Sequence, residues 1–153
     1  MILNRQRAVR VARRPLELFL VRVRRELGLG EADFTICLVS DTEIARMNQA
    51  FRRKKGPTDV LSFPAVDRLM PVRLPMRRRS GSRRSKAETF LGDIAISPST
   101  ARRYAKKLGR TLPSELQILI LHGVLHLLGY DHETDHGEMD RVETRLRRRL
   151  GLT

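Results

Sequence analysis

The spacing of apolar residues along the chain predicts about five helices and three or four short strands. Apolar residues recur at helical spacing after five positions, which are Pro15, Ser40, Pro98, Ser114 and His132. Short runs rich in β-branched and aromatic residues predict strands at 34–39, 59–64, 90–96 and, more weakly, an edge strand at 2–9. This order is typical of an α+β fold in which a small mixed four-stranded sheet packs with about five helices.

Capping residues and apolar stripes define the predicted helices more closely. Ser40 with Glu43, and Ser114 with Gln117, match the capping box that opens a helix. The apolar residues of each stripe are expected to face the core, and they include Phe51, Tyr104 and Leu108. A polar loop joins the predicted strand that ends near Phe63 to the predicted strand that begins at Phe90, and we expect these two strands to form a hairpin.

The predicted helix at about 115–128 is the most apolar and carries two histidines, so we expect it at the centre of the domain. His122 and His126 are four residues apart, which places both imidazoles on one helix face. Gly129 can turn the chain so that His132 approaches the same point. Three histidines with an open fourth position are typical of a catalytic zinc site. The sequence therefore predicts one Zn²⁺ ion bound by His122, His126 and His132, and unconnected buried histidines are the alternative.

Length and composition indicate the number of domains and the cellular location of the protein. The chain of 153 residues is expected to form one domain, 1–153, without disulfides, because it has a single cysteine, Cys37. No apolar run reaches the ~18 residues of a membrane span, and no secretory signal is evident, so we expect a cytoplasmic protein without membrane contacts. Residues 67–88 lack periodicity and are rich in arginine, which predicts a long, basic, mobile loop.

The net charge of +14 favours a polyanionic partner, and arginine suits bidentate phosphate contacts. An arginine-rich composition caused by genomic base bias is the alternative, and the arginines late in the last helix also suit the helix dipole. Charge alone therefore favours nucleic acid without establishing it.

The histidine spacing also matches the metzincin protease pattern H-E-x-x-H-x-x-G-x-x-H at every position but one. Gly123 occupies the position of the glutamate that serves those proteases as general base. Peptide hydrolysis would therefore lack its main proton acceptor. A zinc site can still supply hydroxide near pH 7, and arginine can stabilise a phosphodiester, so the residues favour phosphodiester chemistry and leave a protease as the weaker alternative.

Four motifs in register then resemble one family. The segments HGVLHLLGYDH at 122–132, PTDVLSFP at 57–64, LGDI at 91–94 and the pair Phe51-Arg52 closely resemble the YbeY family of bacterial endoribonucleases and ribosomal RNA maturation factors. The match extends from about residue 34 to 146 in the same order. The loop at 67–88 departs from the family because it is longer and more basic here, which gives the hypothesis that it contacts RNA or the ribosome.

The resemblance implies a zinc-dependent endoribonuclease that prefers single strands and acts in maturation of the 3′ end of the small-subunit ribosomal RNA and in ribosome quality control. Its implied partners are ribosomal RNA and the small subunit with its proteins, and DNA is not expected. His122, His126 and His132 match the metal ligands, and Arg52 matches a basic residue assigned to the scissile phosphate. A surface salt bridge is the alternative for Arg52, and a non-catalytic RNA-binding assembly factor with a structural zinc is the alternative function. The general base and the attacking nucleophile stay unassigned, as do the cleavage position, the metal used in the cell and the oligomeric state.

Overall fold

Five helices pack with a four-stranded mixed sheet in the computed structural model, which describes residues 1–65 and 90–152. The strands are Ile2–Asn4 (β1), Asp33–Leu38 (β2), Val60–Pro64 (β3) and Phe90–Ile96 (β4). The helices are Arg13–Glu26 (α1), Asp41–Arg52 (α2), Pro98–Lys107 (α3), Leu112–Leu127 (α4) and Glu138–Leu150 (α5). The predicted α+β class is confirmed.

The strands lie in the order β1-β2-β4-β3. Strands β1, β2 and β4 are parallel to one another, and β3 runs antiparallel to β4, with Leu61 opposite Ala95. The expected pairing of the strands that end near Phe63 and begin at Phe90 is therefore confirmed. The edge strand β1 is also present, but it covers only Ile2–Asn4 of the predicted range 2–9.

Helix α4 lies at the centre of the domain, as its sequence predicts. It contacts β3, β4 and three other helices, α1, α3 and α5. Its apolar residues point in every direction, and Leu121, Val124 and Leu125 are completely buried. A helix that is apolar on most of its circumference has to be covered on several sides, and these five elements cover it.

The start of α4 differs from the prediction, and Ser114 is not its N-cap. The Thr111 side chain accepts a hydrogen bond from the Ser114 backbone N–H at 3.2 Å, and the helix begins at Leu112. Pro113 is compatible with the first turn because its missing N–H has no helical acceptor there. The predicted cap of α2 is confirmed, since the Ser40 hydroxyl accepts from the Glu43 N–H at 3.1 Å.

Three apolar residues predicted to face the core are exposed instead, with exposed fractions of 69% for Phe51, 44% for Tyr104 and 59% for Leu108. In α2, Phe51 lies on the same side as the buried residues Ile44 and Asn48, but in the last turn, where its ring contacts Phe63 and stays open to solvent. In α3 the small residues Ala101 and Ala105 make the close contact with the core, which leaves the larger side chains at its margin.

The predicted loop at 67–88 lies outside the described residues. Within the described residues, no helix combines the length and the apolar character needed to cross a membrane.

Candidate metal centre

Three histidine side chains come together where α4 ends. His122 and His126 lie on the last turns of α4, and His132 comes from the loop that follows. Their ring centroids are 4.7 Å apart for His122 and His126, 5.6 Å for His122 and His132, and 5.4 Å for His126 and His132. One ligand nitrogen of each ring lies within 4.8 Å of the others. The structure thus brings together the three residues that the sequence predicts to lie close to one another.

The donor set fits a metal ion. The Nε2 atoms of His122 and His126 are 3.1 Å apart, close to the ~3.3 Å that separates two ligands at a tetrahedral zinc ion. Burial, together with the neighbouring rings of His122 and His132, lowers the pKa of His126 below its ordinary value. A neutral imidazole is the form that binds a metal, so this cluster could hold one ion.

The loop that carries His132 is turned back towards the helix by backbone hydrogen bonds. Gly129 has a φ of +98°, and its N–H donates to the His126 carbonyl at 3.0 Å. The Tyr130 N–H donates to the Leu125 carbonyl at 3.1 Å, which closes the helix end. Asp131 then accepts from the Glu133 N–H at 3.0 Å through its side chain. The glycine turn predicted from the sequence is what lets His132 face the two helical histidines.

Glu143 is a functional candidate that the sequence reasoning missed. Its Oε1 lies 3.2 Å from the Nδ1 of His122, and its side chain is only 14% exposed. A carboxylate that accepts from Nδ1–H fixes the ring orientation and leaves Nε2 free for a metal. A signal was present, because Glu143 follows Met139 by four residues and precedes Leu146 by three, on the buried side of α5. An acid within an apolar stripe usually has a buried partner.

Gly123 has a packing role that the comparison with proteases did not reveal. A Cβ at this position would lie 2.8 Å from Ile94 Cγ2 and 3.2 Å from Ser62 Oγ, both in the sheet. The Ser62 hydroxyl donates to the Gly123 carbonyl at 3.2 Å. Position 123 therefore faces β3 and β4 at a distance that only glycine fills without strain. A glutamate would force the helix away from the sheet.

Arg52 lies beside the loop that carries His132. Its Nη2 is 3.5 Å from Oε1 of Glu133, and both side chains are substantially exposed. The surface ion pair considered for Arg52 is thus present, and it connects the end of α2 to Glu133, the residue that follows His132. Asp59, which the family motif also contains, accepts from the Val60 N–H at 2.8 Å at the start of β3.

Comparisons with known proteins identify the family of this chain. The sequence model described as Endoribonuclease YbeY matches residues 2–151. The chain is 41% identical to an Endoribonuclease YbeY of Koribacter versatilis, over 99% of this chain and 86% of that protein. It is 43% identical to one of Solibacter usitatus, over 96% of this chain and 86% of that protein. A solution structure from Thermotoga maritima matches with a TM-score of 0.60 and 27% identity, over 98% of this chain and 89% of that one. The chain belongs to the Endoribonuclease YbeY family.

Proposed function

We propose that the protein is a zinc-dependent endoribonuclease that cleaves single-stranded RNA during maturation of the small-subunit ribosomal RNA, at its 3′ end, and in ribosome quality control. The observation that carries this proposal is the three-histidine cluster backed by Glu143, in a chain of the Endoribonuclease YbeY family. We further propose that it works in the cytoplasm and binds the small ribosomal subunit and its proteins.

The proposed metal ligands are His122, His126 and His132. Nitrogen donors and the tetrahedral spacing of two of them favour zinc. Bound there, zinc would supply Lewis acidity for phosphodiester cleavage. Glu143 would hold His122 in the tautomer that presents Nε2, and the partly buried position of His126 between two other imidazoles would favour the neutral form of that ring. The chain's own contribution is therefore a set of imidazoles already oriented before the metal binds.

Arg52 is the residue that we propose for the scissile phosphate. Its ion pair with Glu133 is exposed and 3.5 Å long, and such pairs contribute about 0–1 kcal/mol. A phosphate can displace the carboxylate at little cost and accept two parallel hydrogen bonds from the guanidinium. Glu133 would thus keep Arg52 beside the loop that carries His132 until RNA binds.

The remaining surface supports a polyanionic substrate. Exposed basic residues follow Arg52 directly, at Arg53, Lys54 and Lys55, and the exposed side of α5 carries Arg145 and Arg148. Phosphate contacts of this kind make binding strongly dependent on salt. We therefore expect the affinity for RNA to fall as salt rises.

The test uses purified wild-type protein with its metal content measured, a single-stranded fragment from the 3′ end of small-subunit ribosomal RNA, and a casein-like protein substrate. His126→Ala should lose both zinc and RNA cleavage. Arg52→Glu should lose RNA cleavage by about 100-fold or more but retain zinc, because its charge acts on the phosphate. Arg46→Glu makes the same charge change on an exposed position of the same helix and should keep most of the activity.

The alternatives predict different results. Cleavage that persists in metal-free His126→Ala would indicate a contaminating nuclease and favour a non-catalytic RNA-binding assembly factor with a structural zinc. Casein hydrolysis that depends on His126 would favour a protease.

A further inference from the structure

An exposed aromatic pair lies at the end of α2. Phe51 is 69% exposed, yet its ring contacts Phe63 of β3 edge to face, with centroids 4.9 Å apart. Phe63 is itself partly buried against a small apolar cluster that includes Ile44 and Leu61. One ring is therefore held in place by the core, and it supports a second ring that is largely open to solvent.

Two contacts connect the segments that carry this pair to the segments that carry the proposed metal ligands. Phe51 precedes Arg52, which pairs with Glu133, the neighbour of His132. Phe63 follows Ser62, whose hydroxyl donates to the carbonyl of Gly123, the neighbour of His122. Successive residues of a strand face opposite sides of the sheet, so Phe63 lies with Leu61 on the side away from Ser62 and α4. The pair is therefore linked to the metal centre through Phe51, by way of Arg52 and Glu133.

Charge decides what the exposed ring can bind. Phe51 is followed by four consecutive basic residues, Arg52, Arg53, Lys54 and Lys55, all of them exposed. An apolar protein surface would gain little from this dense positive charge. A single-stranded nucleic acid has both features that the surface complements, because its phosphates bind cations and its unpaired bases stack on aromatic rings.

We propose that Phe51, supported by Phe63, is a stacking platform for an unpaired base of the RNA, close to the scissile phosphate. This proposal rests on the proposed ribonuclease function. Stacking on Phe51 would fix the path of the strand across Arg52 and towards the histidines. It would also favour single strands over duplexes, because a paired base cannot leave its own stack without an energetic cost.

The experiment uses metal-loaded protein and single-stranded RNA oligonucleotides that carry 2-aminopurine at successive positions, with fluorescence recorded by stopped flow before cleavage. Wild type should quench 2-aminopurine strongly at one position. Phe51→Leu keeps an apolar side chain but loses the ring, so this quenching should disappear and affinity should fall by about 5- to 100-fold. Phe51→Tyr should retain both, and Tyr104→Leu, which removes another exposed aromatic ring on α3, should change neither.

A second arm changes the RNA instead of the protein. An abasic nucleotide at the quenched position should weaken binding to wild type by the same factor and leave binding to Phe51→Leu unchanged. Equal weakening of both proteins, or wild-type quenching by Phe51→Leu, would overturn the stacking proposal while wild-type cleavage of RNA still supports the nuclease. A wild-type protein that neither binds nor cleaves the RNA would remove the proposed function and this inference with it.

Discussion

Different requirements determine which residues can occupy the two sides of helix α4. On the side that faces the sheet, Gly123 leaves no room for even a methyl group, because a Cβ would lie 2.8 Å from Ile94. On the side that carries the histidines, here called the cleft side, His122 is partly exposed and makes its contact with Glu143 of α5. The residue on the sheet side is restricted by the space that Ile94 leaves, whereas the residue on the cleft side is restricted by the need for a nitrogen ligand.

Because of this difference, substitutions on the two sides of α4 should affect different properties of the protein. Close-packed interiors respond to the addition of a single methylene group, whereas a polar group at the margin can change with little effect on the fold. We therefore expect changes on the sheet side to act on the free energy of unfolding. Changes on the cleft side should act on metal affinity.

The largest effect on stability is expected at Gly92, where the sheet approaches the end of α4. Its φ is +138°, and a Cβ there would lie 2.2 Å from the Phe63 carbonyl oxygen and 2.9 Å from Leu127. Gly92→Ala combines backbone strain with a clash that the backbone cannot avoid, so it should destabilise the protein by about 3 kcal/mol or more in urea unfolding. Gly109→Ala is the matched control, since φ is +68° but its surroundings are open. It should cost about 1–2 kcal/mol.

A smaller and separable effect is expected at Glu143, on the cleft side. Glu143→Ala removes the acceptor of His122 Nδ1 and should lower metal affinity by about 10- to 100-fold in competition titrations. Glu143→Gln keeps an oxygen acceptor and should lose less. Asp140→Ala removes an exposed carboxylate from the same helix and should leave metal affinity unchanged. An equal loss in Asp140→Ala would show that net charge, and not the contact with His122, matters.

The smallest effect is expected for Gly123→Ala, and the sign of its change in the free energy of unfolding is what matters. Alanine is favoured over glycine in a helix by about 1 kcal/mol, so helix propensity alone predicts that Gly123→Ala is stabilising. The contacts with Ile94 and Ser62 predict overpacking that costs about 2 kcal/mol. The net expectation is a destabilisation of about 1 kcal/mol, measured by urea unfolding of the metal-free protein. A stabilised variant would mean that the sheet side of α4 is looser than its geometry indicates.

Much of the fold could be predicted from local patterns. The strand at Phe90–Ile96, the Ser40 cap of α2 and the apolar central helix follow from signals that a few neighbouring residues carry. Exposure was harder to predict, because it depends on what each helix packs against. Phe51 fits the apolar stripe of α2, but it lies in the last turn of that helix, where its side chain stays largely exposed.

By itself, the sequence determined that His122, His126 and His132 lie close together. His122 and His126 share a helix face because of helical periodicity, and Gly129 turns the chain so that His132 can follow, so their proximity is a local property. Only the tertiary structure decided the partners that come from distant segments. Glu143 reaches His122 from α5, Ser62 reaches Gly123 from β3, and Phe51 rests on Phe63. These contacts depend on how helices and strands pack against one another, which no local spacing specifies.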